Sequence, residues 1–175
     1  AQFTINFNAG NGDGRILIAI EGSPVDVEPQ DLVNYSNNSG AFGSPTYEIG
    51  AGNYVLYVGN ATSDFISNLE PNTEYHFAIF EYNGSSGKIY LTSTSSPAAP
   101  GGTTSITTPA YPTLNSTQLD FDFIDGNRIR VDMSSSFYGN GDNRLIVAKE
   151  SSAILNTPTD GVDYNASTTF GAGDE

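Results

Sequence analysis

The sequence predicts an all-β protein made of β-sandwich or barrel modules in tandem, and three observations support this. Gly, Ser, Thr, Asn and Tyr are frequent, whereas the helix formers Leu, Lys and Glu are scarce. Gly or Pro recurs about every ten residues, which is the spacing of turns between short strands. Gly10–Ala19 also returns as Gly139–Ala148, and 12 of the 26 positions aligned over Gly10–Tyr35 are identical. Such self-similarity indicates repeated modules.

The first copy opens with a strand-like alternation. Phe3, Ile5 and Phe7 alternate with polar residues, as expected of a half-buried strand. A turn rich in Gly, Asn and Asp follows over residues 8–14, where these residue types tolerate a positive φ. Residues 22–53 carry many Pro, Gly, Ser and Asn and predict a long connection with short edge strands. The further predicted strands of this copy are 15–21, 54–58, 63–66, a strand within 69–84, and 88–94.

The segment from Leu69 to Gly84 is the most specific motif of the chain. Its opening Leu-x-Pro-x-Thr-x-Tyr resembles the tyrosine corner of fibronectin type III domains. Pro71 would turn the chain, and the Tyr75 hydroxyl would bond the backbone near Leu69. Alternation along the strand places Tyr75, Phe77 and Ile79 inward and puts His76, Ala78 and Phe80 outward.

With these residues in place, the chain resembles tandem fibronectin type III-like modules, similar to those of large secreted or surface proteins of Bacteroidota. The resemblance implies immunoglobulin-like β-sandwiches and an extracellular or cell-surface location. It divides the chain into a first module over 1–108, lacking its first strand, and a second, C-terminally incomplete module over 109–175. Residues 97–108, rich in Pro, Gly and Thr, are predicted to be the linker.

The second copy starts with a strand that has no counterpart in the first. Phenylalanines alternate with aspartates over 117–124, and Asp125-Gly126-Asn127 predicts a hairpin turn. The copy then stops before the equivalent of the tyrosine corner. A half sandwich would leave unpaired edges and an open apolar face. We therefore expect a longer polypeptide, or neighbouring chains, to complete this copy.

Composition excludes several kinds of partner. The net charge of −14 argues against nucleic acid and anionic membranes, both of which require clustered Lys and Arg. The chain has no Cys, so thiolate chemistry and disulfides are excluded. Its apolar runs fall short of the roughly 18 residues that span a bilayer, so no membrane insertion is predicted.

Acidic residues in and near turns raise the question of Ca²⁺. The Gly-Asn-Gly-Asp loops that contain Asp13 and Asp142 lack the spacing of a calcium-binding EF-hand, and a structural role in the turn is favoured. Asp120, Asp122 and Asp125 form a candidate Ca²⁺ site at the start of the second copy. The alternative for these three is a solvated strand face followed by a turn aspartate. No other cofactor is predicted.

Nothing in the sequence predicts catalysis. His76 is the only histidine, and alternation places it on the outer face of a strand, where a surface role is favoured over general-base chemistry. Motifs for a nucleophile elbow, a metal site or a phosphate loop are absent from the sequence. We therefore predict that the chain is not an enzyme.

One apolar face is a candidate partner-binding surface. Phe80 and Tyr82 are predicted to face outward and to join Leu17 in an exposed apolar patch, a feature typical of protein interfaces. The alternative is that residues 22–53 cover this face. The predicted partners are proteins, above all other copies or further modules of the same polypeptide.

These observations lead to two functional hypotheses. The first is a non-catalytic structural or adhesive array in a secreted or cell-surface bacterial protein, built into a larger assembly or filament. The second is an accessory region of a secreted hydrolase that binds polysaccharide through exposed tyrosines. A clustered row of tyrosines on one face would favour the second hypothesis.

Overall fold

The computed structural model describes residues 1–92, 103–116, 119–132 and 139–173. It divides the chain into two compact units, Ala1–Ala110 and Tyr111–Glu175, which we describe separately. The all-β prediction is confirmed, since the described strands pair in antiparallel sheets. In the part of the chain that the structure describes, no helix is long and apolar enough to cross a membrane.

Unit 1 contains eight described strands and one turn of 3₁₀ helix at Pro45–Tyr47. The strands are β1 (Phe3–Asn6), β2 (Gly14–Glu21), β3 (Glu48–Gly50), β4 (Asn53–Gly59), β5 (Ser63–Ile66), β6 (Glu74–Asn83), β7 (Ile89–Tyr90) and β8 (Thr103–Thr107). Strands β1 and β5 form a two-stranded sheet. The larger sheet has the order β3-β4-β2-β6, and the far edge of β6 pairs with β8 in its first half and with β7 at its end.

The two sheets pack face to face through a shared apolar core. Tyr75 and Phe77 of β6 project into this core with Leu17 of β2, and they meet Ile66 of β5. The half-buried Phe3 ring contributes an edge-to-face contact with Phe77 at 5.8 Å between centroids. Edge-to-face stacking is a favoured arrangement of aromatic pairs. This contact, together with apolar burial, stabilises the packing of β1 against the larger sheet.

A second apolar cluster lies on the opposite face of the larger sheet. Ile16 and Ile18 of β2 and Phe80 of β6 are buried there. They are covered by apolar side chains of the long 22–53 connection, namely Val25, Val27, Tyr35, Tyr47 and Ile49. Because the sheet is buried on both faces, β2 carries a continuous apolar run instead of an alternation.

The last strand of unit 1 comes from a segment predicted to be a linker. Part of the 97–108 segment, β8 at Thr103–Thr107, pairs with the first half of β6. Its β-branched threonines suit a strand. The pairing satisfies the backbone N–H and C=O groups along that edge of β6. The strand predicted over 88–94 is reduced to Ile89–Tyr90, and residues 93 and 94 lie outside the described residues.

Unit 2 contains one described hairpin, formed by β9 (Asp120–Asp125) and β10 (Arg128–Asp132). The predicted turn at Asp125-Gly126-Asn127 is confirmed by this pairing, and the Asp125 side chain accepts a hydrogen bond from the Asn127 N–H at 3.1 Å. Apart from the hairpin, the described residues of unit 2 form no strand. Its apolar side chains are largely exposed.

Candidate functional site

The Gly-Asn-Gly-Asp loop of unit 1 encloses the carboxylate of Glu81 on β6. One carboxylate oxygen accepts from the Gly10 N–H at 2.9 Å, and the other accepts from the Gly12 N–H at 3.1 Å. A Cβ atom added at Gly10 would lie 2.7 Å from the Glu81 Cδ, and one at Gly12 would lie 2.7 Å from a backbone carbonyl. Gly12 therefore requires glycine, because the loop backbone approaches the backbone of β6 closely, and a side chain at Gly10 would push the Glu81 side chain out of its place.

Arg15, the second residue of β2, completes the arrangement. Its Nε donates to the Glu81 carboxylate at 3.0 Å, and its Nη1 donates to the carbonyls of Asn60 at 2.8 Å and Ala61 at 2.6 Å. The guanidinium is buried and its charge is matched by one carboxylate. This buried group therefore joins three segments: the loop before β2, the residues that follow β4 and the C-terminal part of β6.

The Asp13 carboxylate bonds the backbone of the neighbouring loop and not that of its own turn, where the sequence placed its role. Its carboxylate accepts from the Gly84 N–H at 2.8 Å, while its own N–H donates to the Asn83 side chain at 3.1 Å. These reciprocal bonds join the loop before β2 to the end of β6. Asp142, the equivalent residue of unit 2, lies exposed in its own loop.

The tyrosine corner forms as the sequence predicts. The Glu70 N–H donates to the Tyr75 hydroxyl at 2.9 Å, and both Leu69 and Tyr75 are buried. Pro71 lies in the turn before β6, where the next residue, Asn72, adopts a positive φ of 53°. Burial raises the pKa of Tyr75, and the hydrogen bond with Glu70 opposes part of that shift.

The expectation of an exposed apolar patch is wrong for two of its three residues. Leu17 lies opposite Ile79 and is 2 % exposed in the core between the sheets. Phe80 does face the other side, but it is 1 % exposed beneath the 22–53 connection. Tyr82 is half-buried and packs against the same cluster. The alternative, that residues 22–53 cover this face, describes the arrangement found.

Tyrosines anchor that covering segment. The Tyr90 hydroxyl donates to the Val33 carbonyl at 3.0 Å, and the Tyr90 N–H donates to the Asp31 carboxylate at 2.8 Å. The Tyr90 ring also contacts those of Tyr35 and Tyr82 at 5.9 and 5.6 Å between centroids. Burial, with the neighbouring Tyr35 as the next contribution, raises the pKa of Tyr90 to about 12.

The three candidate Ca²⁺ residues lie along β9, and the facing strand β10 carries two arginines. Asp122 pairs with Arg130 at 2.6 Å, and Asp125 pairs with Arg128 at 2.5 Å. The hydrogen bond from Arg128 lowers the pKa of Asp125. Asp120 begins the same strand and is exposed. Within the described ranges, no three acidic or histidine side chains are close enough together to hold a metal ion.

His76 lies half-buried on β6, with its Nε2 3.5 Å from the Glu74 carboxylate. Two depressions open to solvent lie on unit 1. One depression of about 360 Å³ is lined by Asn6, Phe7, Asn8, Ala9 and Thr62. A second depression, of about 210 Å³, lies beside Glu81 and Tyr82.

Sequence reasoning missed the roles of Glu81 and Arg15. A signal was present, since an arginine follows the Gly-Asn-Gly-Asp loop in both copies, as Arg15 and Arg144. A recurring cation beside a glycine loop predicts a carboxylate partner, but the position of that partner, 66 residues away, depends on the strand order.

Comparisons of the chain with protein-family models, curated proteins and solved structures found no match.

Proposed function

We propose that the chain is a non-catalytic structural or adhesive array of fibronectin type III-like modules in a secreted or cell-surface protein. The type III-like assignment is supported by a central β2 between β4 and β6, by a facing β1–β5 sheet and by the corner at Tyr75. These are features of immunoglobulin-like sandwiches.

The observation that carries the functional proposal is that the ionisable side chains near the loops of unit 1 bond other groups of the same unit. Glu81 and Asp13 accept hydrogen bonds from loop backbone, and Arg15 donates to Glu81 and to two carbonyls. Groups that could perform acid–base chemistry therefore hold the loops of the sandwich in place. A module with fixed loops and depressions open to solvent suits spacing and adhesion better than turnover of a substrate.

Polysaccharide binding was the competing hypothesis, and its distinguishing feature was a row of exposed tyrosines. Every described tyrosine of unit 1 is buried or half-buried. In unit 1, the aromatic surface that would stack on sugar rings is used in packing, whereas the exposed tyrosines among the described residues, Tyr111 and Tyr164, belong to unit 2. The structural and adhesive role is therefore favoured.

Immunolabelling of intact source cells tests the proposal. Antibodies against the 175-residue chain should label cells without permeabilisation, and an antibody against a cytoplasmic protein should not. Labelling that appears only after permeabilisation would overturn the surface role. Saturable binding of the chain on a glycan array, abolished by a tyrosine substitution, would favour the polysaccharide hypothesis instead.

A further inference from the structure

The last strand of unit 1 buries little of its side chains. Strand β8 pairs with Glu74–Ala78 of β6. Residues 104–107 of β8 are exposed, and the isoleucine among them, Ile106, is 43 % exposed. Apolar burial is the dominant stabilising contribution in folding, and this strand receives little of it. A further anchor is therefore expected at one of its ends.

Thr108, the residue that follows β8, is such an anchor. It is only 3 % exposed. Its hydroxyl donates to the Glu70 carbonyl at 2.6 Å and accepts from the Thr73 N–H at 3.0 Å. Its own N–H donates to the Thr73 carbonyl at 2.9 Å. A hydroxyl has a single proton to donate, and here both that proton and an acceptor site are used inside the protein.

These bonds connect Thr108 with the tyrosine corner through Glu70. The Glu70 N–H donates to the Tyr75 hydroxyl, and the Glu70 carbonyl accepts from the Thr108 hydroxyl. Two side-chain hydroxyls, one from β6 and one from the residue after β8, thus satisfy the backbone of one residue. Hydrogen bonds in such a network reinforce one another, so the corner and the end of β8 depend on each other.

The chain beyond Thr108 is bonded to the same turn. The Pro109 carbonyl accepts from the Asn72 N–H at 3.1 Å. Unit 1 ends at Ala110, and unit 2 begins at Tyr111. Ala110 alone therefore separates the bonded segment from the start of the second unit.

The sequence predicted a linker at this place, over residues 97–108. Residues 97–102 lie outside the described residues, and residues 103–108 form β8 and its anchor. The described part of the predicted linker is therefore bonded to unit 1 along its length. A segment rich in Thr and Ser that buries little surface would be a flexible tether without these bonds.

We propose that Thr108 anchors the end of unit 1 to the tyrosine corner, so that residues 103–109 belong to the module and do not act as a free tether between modules. Detaching this segment would leave the Glu70 carbonyl and the Thr73 N–H without the hydroxyl that they now share. The inference rests on the proposed function, because an array keeps its spacing only when the chain between its modules has little slack.

Three substitutions separate the hydroxyl of Thr108 from the shape of its side chain. Thr108→Val keeps the size and the branched Cβ of the residue and removes the hydroxyl. Thr108→Ser keeps the hydroxyl and removes a methyl group. Thr104→Val makes the same change as the first variant at an exposed residue of β8. The proposal requires the largest effect from the first variant.

Amide hydrogen exchange, followed by nuclear magnetic resonance on the isotope-labelled full chain, measures how often the segment detaches. Thr108→Val is expected to speed the exchange of the Asn72 amide and of the β8 amides bonded to β6 by about ten-fold. Thr108→Ser should have a smaller effect, and Thr104→Val should leave these rates unchanged. Unchanged rates in Thr108→Val, or equal increases in Thr108→Val and Thr108→Ser, would overturn the proposal.

A further variant distinguishes detachment of the segment from unfolding of the whole unit. Glu81→Gln breaks the ion pair with Arg15, so it should leave the β8 rates unchanged when the segment detaches by itself. Rates that rise as much in Glu81→Gln as in Thr108→Val would overturn the proposal.

Backbone relaxation of the natural chain measures the slack directly. Heteronuclear Overhauser values of residues 103–108 should equal those of β6, and low values there would overturn the proposal. Surface labelling of cells is independent of both measurements, so failure of the anchor and failure of the proposed function are distinguishable.

Discussion

The Nε of Arg15 lies 3.0 Å from the carboxylate of Glu81, and the two side chains are only 3 % and 15 % exposed. The pair spans 66 residues of sequence and joins β2 to β6. Removing two charges from water is costly, so such a pair is stable only when further hydrogen bonds complete it. Here the N–H groups of Gly10 and Gly12 and the carbonyls of Asn60 and Ala61 supply them.

Glu81→Gln is expected to destabilise unit 1 by about 3 kcal/mol, the lower end for removing one charge of a buried pair. The loss is at that end because the amide oxygen can still accept a hydrogen bond and two carbonyls still hold Arg15. Urea unfolding followed by circular dichroism measures the change in the free energy of unfolding. The exposed Glu28→Gln is the matched control and should change stability by less than about 0.5 kcal/mol. Equal effects would show that the ion pair contributes nothing.

Tyr75→Phe is expected to cost about 1–2 kcal/mol, because it leaves the Glu70 N–H without the hydroxyl that it now meets at 2.9 Å. The ring itself stays, so the apolar core is preserved. Tyr54→Phe is the control, since the Tyr54 ring packs on Phe42 outside the corner. The same urea experiment checks both variants. A loss for Tyr54→Phe as large as that for Tyr75→Phe would contradict a specific role of the corner.

Features that depend on a few adjacent residues could be predicted from the sequence. The corner at Tyr75 needs a turn and a hydroxyl five residues from its partner, and both are visible in the order of residues 69–75. The hairpin at Asp125–Asn127 is likewise set by its turn residues. Local chemistry decides these elements, so they follow from local sequence.

Features that depend on strand order could not be predicted from local sequence. Alternation along β6 correctly placed Phe80 outward, but it could not show that residues 22–53 return to cover that face. The facing of Leu17 was predicted wrongly because residues 16–20 of β2 are all apolar, and periodicity gives no facing for a strand buried on both sides. Glu81 was missed for a related reason, since its donors lie 66–71 residues away.

Phe80→Ala distinguishes a covered face from an exposed one. Because Phe80 is buried under the connection, its truncation is expected to cost about 3–5 kcal/mol. Phe65→Ala on β5 removes the same atoms from a side chain that is 48 % exposed, and it should cost less than about 1 kcal/mol. Urea midpoints of the two variants provide the measurement. A small effect of Phe80→Ala would show that the covering segment is detached in solution.

Tyr90 makes the stability of unit 1 sensitive to alkaline pH. Its pKa is raised from 10.0 to about 12 in the folded state, chiefly by burial. Between those two values the unfolded chain releases the phenolic proton while the folded chain retains it, so the free energy of unfolding falls as pH rises. The contribution is complete below pH 10 and is lost as pH approaches 12.

Urea midpoints measured from about pH 8 upward should therefore drop more steeply for the natural chain than for Tyr90→Phe. Below pH 10 the variant should be less stable by a fixed amount, because it lacks the hydrogen bond to the Val33 carbonyl, and the two curves should converge as pH approaches 12. Parallel curves for the two proteins would contradict a buried, protonated Tyr90.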